Sequence, residues 1–228
     1  MGAMVTWRSG RDVDMETHED GELRVVRFGP LGSFANNAYV VGDQTSREAV
    51  LIDMPAGSAE VVAAIEQDGW RVKAILLTHS HPDHWADYDL VRASIDAPVM
   101  ANTAEQIIPG EKVDLPLDDD QVIDVGPFSM RAICTPGHTP GSTCLLVKRF
   151  LLSGDVLFPG GPGRTQTPAD LRQSVESIKA RLLVLPDETE VFPGHGDGTT
   201  IGNAKREHAA FASREHPADL CGDVTWAG

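Results

Sequence analysis

The chain has 228 residues and an ordinary 41% hydrophobic fraction, enough for a full core and best suited to one domain. Its 34 acidic against 19 basic residues give a net charge of −15, which repels polyanions and sets nucleic acid aside as a partner. No apolar run approaches the roughly 18 residues that cross a bilayer, and no cationic-then-apolar leader pattern opens the chain, so neither a membrane nor a secretory route is expected.

Residues 1–22, in which RSGRDVDMETHEDGE mixes charges of both signs, read as a polar N-terminal arm, with residues 23–228 as a single domain. Short apolar strands follow in LRVVRF, NAYVVG and AVLIDM, separated by Gly, Pro and Asn. Ser58 is placed to cap a helix through Val61, Val62 and Ile65 to Asp68, and Gly69 to end it before the strand VKAILLT. A helix carrying Trp85, Leu90, Val91 and Ile95 comes next, then a strand APVMAN and a short helix TAEQII. The second half offers strands in QVIDVG, FSMRAICT, STCLLVKRFLLSG and DVLF, a helix from Pro168 to Leu182, a strand in ETEVFPGH, and a helix over about 203–212. The tail ending CGDVTWAG carries no clear period. Strands followed by helices in each half suggest two sheets face to face with helices outside. Cys134, Cys144 and Cys221 make an odd count without CxxC spacing, so no disulfide framework or cysteine-based zinc site is implied. The expected compartment is the cytoplasm and the expected partner a small molecule, with the oligomeric state open.

Residues 75–87 read ILLTHSHPDHWAD. The apolar run suits a buried strand whose end delivers His79 and His81 to one side, while Pro82 stops the strand and puts Asp83 and His84 in a turn. Three later stretches each end a strand with a metal-capable residue beside glycine: TPGHTPGS with His138, LLSGDVLF with Asp155, and EVFPGHGDGTT with His195. Five of the eight histidines therefore sit where side chains can converge, whereas His18, His208 and His216 are expected to be solvated.

In this order, THSHPDH, PGHTPGS, SGDVLF and FPGHG resemble the metallo-β-lactamase fold superfamily, and most closely its glyoxalase II-like, single-domain branch. The resemblance spans about 23–208 and implies an α/β fold, a four-layer αββα sandwich. It also implies two divalent metal ions, with His79, His81 and His138 holding the first, Asp83, His84 and His195 the second, and Asp155 bridging them. Imidazole and carboxylate ligands suit zinc, and also iron or manganese. Two such ions sharing a water turn it into a bridging hydroxide, the implied nucleophile towards a thioester, ester or lactone carbonyl, and Asp83 would orient it and take its proton. Asp53 either supports a metal-binding histidine or makes a turn hydrogen bond.

Asp155 disfavours β-lactam hydrolysis, because antibiotic-hydrolysing relatives generally lack a bridging aspartate there. His81 in place of a glutamate disfavours the flavin-linked di-iron reductases. Only 33 residues follow His195, so the helical domain with which full-length glyoxalase II enzymes hold glutathione is not expected, and glutathione recognition is not carried over. Two other readings stay open: a mononuclear iron oxygenase of the persulfide dioxygenase type, using His79, His138 and Asp155, and a non-catalytic metal-binding protein. Two residues are candidates for substrate contact. Trp85 either walls the cleft or packs its helix on the core, and Arg164 either pairs with a substrate carboxylate or is a solvated loop residue.

Overall fold

The computed structural model describes residues 13–226. Strands β1 (Asp14–Asp20), β2 (Leu23–Leu31), β3 (Asn36–Asp43) and β4 (Glu48–Ile52) form an antiparallel meander. Helix α1 (Ala59–Asp68) crosses to β5 (Arg71–Leu76), α2 (Tyr88–Ser94) to β6 (Val99–Ala101), and a loop to β7 (Leu115–Pro116). These later strands pair in parallel and complete a seven-stranded sheet in sequence order. Next come β8 (Val122–Val125), β9 (Phe128–Cys134), β10 (Thr143–Val147) and β11 (Phe150–Gly154), then a small ribbon of β12 (Leu157–Phe158) and β13 (Gly161–Pro162). After α3 (Pro168–Ser177), β14 (Glu190–Pro193) lies parallel to β11, and β15 (Thr199–Thr200) leads into α4 (Ile201–Ala212). The second sheet has six strands in the order β15-β14-β11-β10-β9-β8.

Period-two alternation along the strands builds three apolar layers. In β4, Val50 and Ile52 face the space between the sheets, while Ala49 and Leu51 join Val61, Val62 and Ile65 of α1. In β11, Phe150 and Leu152 face inward and Leu151 packs outward with Ile178, Ile201 and Phe211. Helices outside, two sheets, and helices outside again give the expected αββα sandwich. No helix among the described residues is long and apolar enough to cross a membrane.

Several expectations change in detail. Residues 14–20, assigned to the polar arm, pair along their whole length with β2, while residues 1–12 lie outside the described part. The ladder to β2 is joined by charge pairs, Arg24 with Glu19 and Arg27 with Glu16, and by Met15 packed on the core. His18 is half-buried against the Phe192 ring, 4.7 Å away. His208 and His216 are not simply solvated either: one ring meets Trp226 edge-on and the other stacks on Phe211 at 3.8 Å. TAEQII is a loop, and its Glu105 side chain is drawn to Ser80, Thr139 and the Gly141 N–H. STCLLVKRFLLSG is a hairpin, turning at Lys148 with φ 49°. The helix from Pro168 is α-helical only to Ser177 and closes in a wider π turn to Leu182. Ser58 precedes α1 as expected, but its hydroxyl bonds the Pro55 carbonyl, and the Asp87 carboxylate accepts from the Gly57 and Ser58 N–H groups instead.

Candidate metal centre

Parallel pairing puts the carboxyl ends of neighbouring strands at one edge. Asp53 follows β4 and His79 follows β5, while Asp155 follows β11 and His195 follows β14 just past Pro193. The β9–β10 loop adds His138, and a 3-10 turn over Pro82–His84 adds Asp83 and His84. The loops crowd together, and glycine is required where they touch. A Cβ on Gly194 would fall on Asp155 Oδ1 and within 2.6 Å of His84 Cε1.

All seven candidate ligands come together. His79, His81, His138 and Asp155 form one group and Asp83, His84 and His195 another, with ligand atoms in each group within 4.8 Å of one another. Asp155 stands between them, 3.3 Å from His195 Nε2 and 3.4 Å from His84 Nε2, and 3.7 Å from His138 Nε2.

The outer nitrogens of the rings are already committed. His84 Nδ1 lies 2.8 Å from Asp53 Oδ2, His138 Nδ1 2.7 Å from the Arg164 carbonyl, and His195 Nδ1 2.9 Å from the Phe34 carbonyl. These oxygens only accept, so each ring donates through Nδ1 and a neutral ring turns its Nε2 lone pair inward. His79 follows the same rule. Its Nδ1 is 3.1 Å from Thr78 Oγ1, whose own proton goes to Asp53 Oδ2 at 2.8 Å. The Asp53 carboxylate also accepts from the Thr78 N–H at 2.9 Å, and so serves both ligand groups.

Sequence reasoning missed Asn36, which donates to Asp83 Oδ2 at 2.7 Å and holds that carboxylate in place. It also missed Phe34 and the Glu105 network that ties the His79–His81 turn to the His138 loop. A second asparagine beside the first, at the start of β3, was the available signal for Asn36.

The donor set fits divalent cations. Asp155 Oδ1 is buried with no hydrogen-bond partner among the described residues. The inner nitrogens of His79, His81 and His138 stand 2.9, 3.1 and 3.3 Å apart. Nitrogens about 2.0–2.1 Å from a tetrahedral zinc would stand about 3.3–3.4 Å from one another, close to the spacing seen. Burial opposes charge on His195, but hydrogen bonds to Asp155 and Asp83 push its pKa up to about 10. Burial likewise opposes charge on His84, and Asp53 and Asp155 outweigh it, raising its pKa well above the ordinary value. Burial raises Asp155, yet His195 and His84 hold it well below the usual carboxylate range.

The two substrate candidates fare differently. Trp85 is half-buried against the core under α1 and α2, with its indole N–H donating to the Ser80 carbonyl at 3.0 Å. It is not among the residues that bound the space over His138, Asp155 and His195, and the geometry favours the packing alternative. Arg164 does line the cleft, a space of about 420 Å³ above His138, Asp155 and His195. The atom of Arg164 that reaches a ligand is its carbonyl oxygen. Its guanidinium is 66% exposed and lies 4.0 Å from Asp223.

An αββα sandwich with this histidine–aspartate cluster at the shared strand edge defines a metallo-hydrolase scaffold. Residues 31–195 match the Metallo-beta-lactamase superfamily, and the chain belongs to it. It is similar to the probable metallo-hydrolase YqgX of Bacillus subtilis, 34% identical over 75% of this chain and 90% of that protein. It is also similar to the hydroxyacylglutathione hydrolase GloC of Haemophilus influenzae, 30% identical over 81% and 97%. Among solved structures, it resembles BLEG-1 B3 metallo-β-lactamase (31% identity, TM-score 0.69, covering 80% of this chain and 96% of that one). The di-iron-bound form of TTHA1623 shares 35% identity with a TM-score of 0.64, covering 77% and 95%. ETHE1 from Myxococcus xanthus shares 25% with a TM-score of 0.69, covering 88% and 85%.

Proposed function

We propose that the protein is a dinuclear metallohydrolase of the glyoxalase II-like kind, cleaving a thioester, ester or lactone carbonyl. The observation that carries this reading is the pair of ligand groups with Asp155 between them, the outer nitrogens of His79, His84, His138 and His195 already held by acceptors. His79, His81 and His138 would hold one ion, Asp83, His84 and His195 the other, and Asp155 both. Two divalent ions, zinc first and iron or manganese as alternatives, supply when bound an activated water and polarise the substrate carbonyl. Asp83 is suited to orient that water and accept its proton. Burial raises its pKa, but His195 and Asn36 hold it below the ordinary range, so the carboxylate is an acceptor at neutral pH. The likeness to GloC, named for hydrolysis of a thioester, supports the same class of reaction.

The test is metal analysis with an activity screen of metal-loaded protein across thioesters, esters, lactones, phosphoesters and a cephalosporin. Two ions per chain with carbonyl-ester turnover is the expected result. Asp83→Asn should lower kcat on the order of 10²-fold or more while keeping the fold, with the ion at Asp83, His84 and His195 held more weakly. Preferred cephalosporin turnover would overturn the substrate class. A single-iron oxygenase using His79, His138 and Asp155 is the alternative reading, and one iron per chain with oxygen uptake would establish it.

A further inference from the structure

The residues after α4 return to the site. Trp226 is fully buried in the layer formed by Ile178, Ile201 and Phe211, and its backbone N–H donates to the Gly160 carbonyl at 2.6 Å. Gly222 and Thr165 exchange two backbone hydrogen bonds, at 3.0 and 3.2 Å. Arg214 reaches the Trp226 carbonyl at 3.0 Å. Contact with the 158–165 loop is close enough that a Cβ on Gly161 would meet the Val224 carbonyl at 2.9 Å. Residues 222–226 are thus a strap fixed at both ends, outside the 31–195 stretch that matches the superfamily.

Between these anchors the strap lines the cleft. Val224 is half-buried and bounds the space over His138, Asp155 and His195 together with Phe158 and Pro162. This is an apolar wall close to the metal-ligand face. Arg164 is the one lysine or arginine among the described residues lining the cleft, and the Asp223 carboxylate lies 4.0 Å from it. In a chain of net charge −15, that leaves no lysine or arginine on the wall without a carboxylate beside it to draw a polyanionic carrier.

We infer that the strap is the specificity element of the cleft. Val224 and Phe158 form a subsite for a neutral, apolar acyl or alkyl group beside the reacting carbonyl, and Asp223 masks Arg164 against polyanionic thiol carriers. This rests on the hydrolase reading for the identity of the reacting carbonyl, but the subsite can be tested by binding alone. The probes are two thioethers that cannot be hydrolysed, S-hexyl-N-acetylcysteamine and S-hexyl-coenzyme A, with their S-methyl counterparts, titrated calorimetrically into the metal-loaded full chain.

Hexyl is expected to bind at least about 10-fold tighter than methyl on the neutral carrier, the range that a few well-buried methylenes produce. Val224→Trp should remove most of that preference and Val224→Ala reduce it, with metal content unchanged in both. Asp223→Asn should strengthen coenzyme A thioether binding up to about 5-fold, the ceiling for an exposed charge pair, without moving the neutral thioether. The inference is overturned by equal hexyl and methyl binding, by a chain-length preference that both Val224 variants retain, or by coenzyme A binding more than 10-fold tighter in the unaltered chain. If the binding pattern holds while no ester, thioester or lactone is turned over, the subsite stands and the hydrolase reading falls.

Discussion

Asp53→Asn tests whether ring orientation is what prepares the centre. Asp53 is 2% exposed, with φ 61°, a conformation that asparagine tolerates better than most residues, so the backbone should stay in place. The carboxylate now accepts three bonds: from the Thr78 N–H at 2.9 Å, the Thr78 hydroxyl at 2.8 Å and His84 Nδ1 at 2.8 Å. An amide has one oxygen. If that oxygen keeps the Thr78 N–H, the NH₂ faces His84 Nδ1, the ring must accept there, and its proton moves to Nε2, the atom that should bind metal. If the amide flips, two buried donors face each other at Thr78, at a cost of about 1–3 kcal/mol. Loss of an orienting carboxylate typically weakens metal binding 10–100-fold, about 1.4–2.7 kcal/mol. His84 is fully buried, so water does not substitute for the lost acceptor. A competitive zinc titration with a chromophoric chelator should therefore find the His84 site weakened by about that factor, and the His79 site, reached only through the Thr78 hydroxyl, weakened less. Both affinities within about twofold of the unaltered protein would refute the tautomer reasoning.

The remaining predictions use the same geometry. Trp85→Phe loses the bond to Ser80 and should cost about 1 kcal/mol in chemical denaturation while leaving KM alone; a KM effect would return the indole to the cleft. Gly194→Ala drives a methyl into Asp155 and His84 and should lower activity on the order of 10²-fold with loss of metal, read by elemental analysis of the folded variant. Metal loading should release protons. The folded pKa values of His195, about 10, and of His84 lie above the unfolded value, so both rings hold protons at neutral pH and give them up only as pH rises or a cation displaces them. Calorimetry in buffers of different ionisation enthalpy near pH 7.5 should detect net proton release, and apparent affinity should climb with pH; buffer-independent heats would contradict this.

What was legible in the sequence was side-chain chemistry at strand ends. The histidines and aspartates of THSHPDH, PGHTPGS, SGDVLF and FPGHG converge because apolar runs fix the strands and glycines permit the turns between them. What was not legible depends on partners remote in sequence. DMETHED has no apolar alternation, and pairs as a strand because β2 supplies the ladder and the arginines that meet its acidic side chains. Glu105 looked like part of a helix, yet two hydroxyls and an N–H from other loops compete successfully for its carboxylate. Trp226 was a lone large aromatic in a polar tail, and its burial is decided by the outer face of a sheet assembled long before it in the chain.

The deeper limit concerns which atom of a residue matters. Arg164 invites attention for its guanidinium, yet it is the carbonyl that fixes the His138 ring; the exposed phenyl of Phe34 invites it too, yet its carbonyl fixes His195. Any residue with the same backbone path offers the same oxygen, so no pattern of side chains reveals it. It follows that Arg164→Ala should leave metal affinity intact although Arg164 touches a ligand ring, whereas Gly163→Ala, whose Cβ would collide with the Asp155 carbonyl and approach His138 Nδ1 to 3.1 Å, should not. The fold thus contributes to the centre in two separable ways. Parallel strand ends deliver the ligands, and the carbonyls and carboxylate of adjoining loops decide which nitrogen is offered by His79, His84, His138 and His195.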